Sequence, residues 1–88
     1  MDFKEANKKI HPVETQWHYN IMIKAGFVPL DKEGVGFVRS YRYSKGDRSI
    51  TVTTGYSSDH WVDNTTGERG YWGSLEDHLE TLAKEKLS

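Results

Sequence analysis

Residues 36–54, GFVRSYRYSKGDRSITVTT, decide the fold. Phe37, Arg39, Tyr41 and Tyr43 alternate with Val38, Ser40 and Arg42, and this period of two places successive side chains on opposite faces of a strand. Ile50, Val52 and Thr54 alternate in the same way with Ser49, Thr51 and Thr53, in a β-branched run suited to a pleated sheet. Between the two runs, Ser44-Lys45-Gly46-Asp47 has turn composition. The two runs therefore predict an antiparallel hairpin turning near Lys45-Gly46, with one apolar face that another layer must cover.

C-terminal to this hairpin, Gly55 to Asp59 predict a second turn and His60-Trp61-Val62-Asp63 a third strand, so that a three-stranded sheet spans 36–63. Asn64-Thr65-Thr66-Gly67 predict a third turn, and Arg69 to Trp72 a short fourth strand at 69–72. Ser74 then opens a helix over 74–86, three residues ahead of Asp77 in an approximate capping box. Glu76 and Asp77 suit the positive end of the helix dipole, Lys84 and Lys86 its negative end, and Leu75, Leu79, Leu82 and Ala83 form the apolar face.

On the N-terminal side, residues 30–35 (LDKEGV) predict a polar loop. Before it, Val13, Trp17, Ile21 and Ala25 recur every four residues, and Met22 widens the stripe. Pro12 suits the first helical position. Gly26 suits a left-handed cap, Phe27 can fold back on the last turn, and Pro29 forbids continuation. The stripe predicts a helix over 12–25 with Trp17 in the core beside Ile21. Residues 1–11 form an N-terminal arm, with at most a turn or two of helix docked by Phe3. The predicted fold is one α+β domain over 1–88: helix, antiparallel sheet of three or four strands, helix, with both helices on one sheet face.

That α-β-β-β-α order resembles the double-stranded-RNA-binding domain. The resemblance stops at topology. Where that family places a lysine-rich helix start against phosphates, this chain has Gly73-Ser74-Leu75-Glu76-Asp77, whose two carboxylates would repel the backbone.

Composition narrows the functional classes. The 88 residues contain no Cys, which excludes disulfides, thiolate metal sites and cysteine nucleophiles. Aromatic residues make up 12 %, so rings must supply much of a small core. No apolar run reaches the length of a membrane span, and the charged start MDFKEANKKI does not fit a signal peptide, so a cytoplasmic chain is expected. Net charge is −1, yet residues 1–58 carry +3 and residues 59–88 carry −4. A polarised surface of this kind suits a particular partner better than nonspecific binding to a polyanion.

No catalytic or metal-binding pattern emerges, and no cofactor is expected. Asp59-His60-x-x-Asp63 has ligand types, but on a strand His60 and Asp63 face opposite sides. Ser57-Ser58-Asp59-His60 holds triad residue types in a row, whereas a triad is assembled from distant segments. His11 and His18 share a helix side only if helix precedes Pro12. Gly34-Val35-Gly36 lacks the third glycine and following helix of a dinucleotide loop.

The aromatic segment 56–72 holds more rings than an 88-residue core needs. His60, Trp61, Tyr71 and Trp72 beside Arg69 are therefore candidate partner-binding anchors. The expected role is a small non-catalytic protein-binding module, an inhibitor or adaptor of a host protein of the kind found among phage and mobile-element accessory proteins. The alternative is a nucleotide or nucleic-acid binder that stacks bases on its rings and uses Arg39, Arg42, Lys45 and Arg48 of the first hairpin as its cationic footprint.

Overall fold

The computed structural model describes residues 12–35, 37–55 and 59–87. The N-terminal arm 1–11 and the turn residues Tyr56, Ser57 and Ser58 lie outside the described residues. A 3-10 turn, Val13–Thr15, precedes helix α1, Trp17–Lys24. Five strands follow: β1 Val28–Val35, β2 Val38–Lys45, β3 Arg48–Thr54, β4 His60–Asp63 and β5 Arg69–Tyr71. A second 3-10 turn, Trp72–Ser74, leads into helix α2, Leu75–Leu87. The strands form one antiparallel meander in the order β1-β2-β3-β4-β5.

The period of two in residues 37–54 translates directly into burial. Tyr41, Val52 and Trp61 are in register across β2, β3 and β4, as are Tyr43, Ile50 and Asp63, and all six are buried. Met22 of α1 and Leu75 and Leu79 of α2 complete the core, with Phe27 beneath the end of α1. Both helices therefore lie on this one face, α1 over β2 and α2 over β4. The other face is polar and, among the described residues, uncovered: Ser40 bonds Thr53, and the Asn64 amide donates to Ser49 and Thr51 hydroxyls.

The sheet has five strands, not three or four: the short strand expected at 69–72 is present as β5, and the sheet begins at 28 rather than 36. The predicted polar loop 30–35 belongs to β1, which pairs with β2 along its length. Its charges conceal it. As an edge strand it needs polar residues and tolerates Pro29, whose missing N–H falls beside a register shift between Pro29 and Asp31. The resulting α-β-β-β-β-β-α order departs from that of the RNA-binding family named above.

The helix predicted over 12–25 is also shorter than its apolar stripe. Gln16 is extended (φ −88°, ψ 148°) and separates the 3-10 turn from α1. Thr15 donates from both its amide and its hydroxyl to the Pro12 carbonyl, closing the first turn on itself. With the helix starting at 17, its inward line is His18 and Met22, and Trp17 moves to the surface instead of the core. The C-terminus follows expectation. Gly26 (φ 92°) is left-handed, Gly26 N–H donates to Ile23 O and Phe27 N–H to Met22 O, the paired bonds of a Schellman cap. Lys45 Nζ donates to Ala25 O at 2.8 Å, adding a cation to the negative helix end.

Candidate functional site

Strand β5 splits its flanking rings between two faces. Tyr71 pairs with His60 and Arg69 with Val62, on the face opposite buried Trp61 and Asp63. All three polar or aromatic candidates there, His60, Arg69 and Tyr71, are exposed, Tyr71 to 70 %. At Trp72 the chain enters the 3-10 turn, and the next ring swings to the helix side. The Trp72 N–H donates to Asp59 O at 3.0 Å, and Trp17 Nε1 donates to Asp59 Oδ2 at 2.6 Å. One residue thus ties both tryptophans together. Their rings meet at 74° with centroids 6.3 Å apart, and they remain 37 % and 61 % exposed.

Beneath this corner lies a polar pair sealed in rings. His18 has no exposed surface; it packs edge-on against Trp17 and Tyr43 and tilted against Tyr41. Its Nδ1 shares a hydrogen bond of 2.6 Å with the Tyr43 hydroxyl, and its Nε2 is buried without a partner among the described residues. Burial lowers the His18 pKa to about 4, against the opposing pull of Asp59, so the ring is neutral at neutral pH. Burial likewise pushes the Tyr43 hydroxyl above its usual range.

Trp61, a predicted anchor, is a core residue at 4 % exposure. Its indole stacks on His78 with centroids 4.3 Å apart, and its N–H donates to both Tyr71 O and Ser74 Oγ. Gly70 allows this approach: a methyl there would meet Ser74 Oγ and the Trp61 ring. The Ser74 hydroxyl donates to Tyr71 O, so it serves this junction rather than the expected capping box.

A second polar centre joins β4 to α2. Asp63 is fully buried; its Oδ1 accepts from the Thr65 and Thr66 amides and its Oδ2 from His78 Nε2 at 2.8 Å. Arg48 stands 3.8 Å from Oδ2, and Glu68 3.5 Å from His78 Nδ1. Burial alone would raise the Asp63 pKa; the bonds from His78 and the two amides outweigh it and hold the carboxyl below its usual range. The arrangement ties the 64–67 turn and α2 to the sheet. Among the described residues, no three His, Asp or Glu side chains come together in a way that could hold a metal ion.

The four basic residues of the hairpin do not share one surface. Arg42 pairs with Asp31 on the uncovered face at 3.1 Å. Arg39 is on the helix face, level with Thr54. Lys45 and Arg48 line a cleft of about 700 Å³ between α1 and α2, walled by Ile21, Phe27, Leu79 and Leu82. Glu76, Glu80 and Glu85 border the same cleft.

Trp17 and Asp59 are the site residues that sequence patterning misplaces. Trp17 sits on an apolar stripe and reads as core, while Asp59 reads as a turn residue; only the tertiary contact reveals them as one unit. His78, hidden among the leucines of α2, gave no signal of its partnership with Asp63. Among the described residues, no helix is long and apolar enough to cross a membrane. No family profile, curated protein or solved structure matches the chain.

Proposed function

We propose that this chain is a non-catalytic protein-binding module, an inhibitor or adaptor in the manner of a small accessory protein, and that it docks through the end of the molecule holding Trp17, Asp59, Tyr71 and Trp72. The carrying observation is the exposure of Trp17 and Trp72, whose rings meet edge to face, with exposed Tyr71 next to Trp72 in the chain. Indole and phenol rings bury large areas at low entropic cost, which is why anchors at protein interfaces are enriched in them. Asp59 holds the Trp17 indole through its carboxylate and the Trp72 backbone through its carbonyl before any partner arrives, which lowers the ordering cost of association. Arg69 and His60 supply polar neighbours on the adjoining face.

A nucleotide or nucleic-acid role draws less support, because the hairpin cations point to different surfaces and the acid Asp59 stands between the exposed rings. Tryptophan fluorescence that stays constant through low-salt titration with mixed oligonucleotides is the expected result.

A photo-crosslinking amino acid at position 72 tests the docking role. In the source cells it should form a stoichiometric adduct with one protein, lost on Trp17→Ala, while the same group at Lys32 on β1 should form none. Equal adducts from both positions, or none from position 72, would sink the proposal.

A further inference from the structure

We infer that the corner formed by Trp17, Trp72 and Asp59 receives an alkylammonium group, a lysine side chain or its methylated form, presented by a basic segment of the partner protein. The inference rests on the protein-binding role proposed above and names the chemistry that the partner brings.

Ring geometry is the first support. Two indoles at 74° with centroids 6.3 Å apart form an L, and both residues keep solvent-exposed surface. An indole face is the strongest aromatic attractor of cations among the side chains. A compact, rounded ammonium fits the inner angle of an L; a planar guanidinium would lie flat on one ring only. The carboxylate is the second support. Asp59 accepts the Trp17 indole N–H with Oδ2, a contact that also draws electron density onto that ring. Among the described residues, no hydrogen bond to its Oδ1 is present. A neutral apolar group pressed into the corner would take this carboxylate out of water with only the Trp17 N–H to balance it, and an anion would meet it directly. An ammonium pairs with it. Selectivity for a cation therefore follows from the cost of the alternatives as well as from attraction.

No cation lies over either indole among the described residues; Arg39 is on the same sheet face, level with Thr54. Among the described residues the cation–ring contact is that of Lys45 with Phe27, at the other end of α1. The buried His18 below is neutral at neutral pH. Acidic residues flank both rings along the chain: Glu14 precedes Trp17 in the first 3-10 turn, Glu76 and Asp77 follow Trp72 in the first turn of α2, and residues 59–88 as a whole carry −4. Such a field raises the local concentration of a basic segment and speeds its approach.

Three short peptides, identical apart from a central lysine, trimethyllysine or norleucine, test the inference on the wild-type protein by NMR titration. The lysine and trimethyllysine peptides should shift the Trp17 indole and Trp72 backbone N–H signals and bind roughly tenfold more tightly than the norleucine peptide, with the lysine advantage shrinking in salt. Asp59→Asn should bring the lysine peptide down towards the norleucine level, with the melting temperature recorded as a folding control. Norleucine binding as well as lysine would overturn the ammonium inference, as would no shift with any peptide at millimolar concentration. In either case the crosslink from position 72 decides separately whether the docking role stands.

Discussion

Asp63 and His18 are both buried polar side chains, and the fold treats them in opposite ways. Asp63 keeps its charge because three N–H donors and the nearby Arg48 compensate it. Asp63→Ala leaves those donors facing an apolar void, and the expected loss is about 3 kcal/mol or more, read by urea denaturation. His18 instead stays neutral, since the pull of Asp59 does not offset its burial. The unfolded chain takes up this proton near the ordinary value of 6.5, the folded chain only near 4. The stabilisation tied to neutral His18 is therefore complete above pH 6.5 and drains away as pH falls towards 4, about 3 kcal/mol in all. The depressed Asp63 acts in the same direction at lower pH, its contribution disappearing as pH drops through its folded-state value. Denaturation midpoints measured from pH 7 to pH 4 should fall steeply in the wild type and more gently in His18→Leu. Parallel slopes would mean that His18 is not held neutral.

At the scale of elements, legibility followed the range of the forces. The end of α1 was readable because a Schellman cap is made within six residues, and Gly26, Phe27 and Pro29 carry it in their own chemistry. Gly26→Ala should cost about 1 kcal/mol or more, because a φ of 92° strains any Cβ and the added methyl would stand 3.0 Å from Lys45 Nζ; thermal melting checks this. The start of α1 was not readable. Four-residue spacing cannot tell which side of a short helix a neighbouring sheet will cover, and here the Tyr43 hydroxyl makes the His18 side the inward one. Strand β1 escaped detection for a related reason: an edge strand is stabilised by its partner β2 and protected by its charges, so its composition resembles a loop.

At the scale of the molecule, the three tryptophans divide one to the core and two to the surface. Trp61→Ala removes a ring packed on His78 along with two hydrogen bonds, and should cost about 3–5 kcal/mol of folding stability. Trp72→Ala should cost less than about 1 kcal/mol, because most of that ring is already in water. Chemical denaturation of the two variants side by side separates them. If Trp72→Ala proves as damaging as Trp61→Ala, the exposed corner is structural and not a docking surface.

By itself the sequence determined an α+β chain with helices at its ends, the β2–β3 hairpin with inward Ile50 and Val52 and with Tyr41 and Tyr43 sharing one face, the cap at Gly26, and a surplus of rings in residues 56–72. Each of these is set by periodicity or by contacts a few residues apart, and such signals survive in the chain without knowledge of its fold. Only the tertiary structure decided that Trp61 is core while Trp17 and Trp72 are not, that His18 and His78 are buried, and that Asp59 joins the Trp17 indole to the Trp72 backbone. The physical reason is that the burial of an amphipathic ring or a histidine depends on whether a distant segment supplies its polar atom with a partner. Tyr43 does so for His18, Asp63 for His78, and Tyr71 and Ser74 for Trp61.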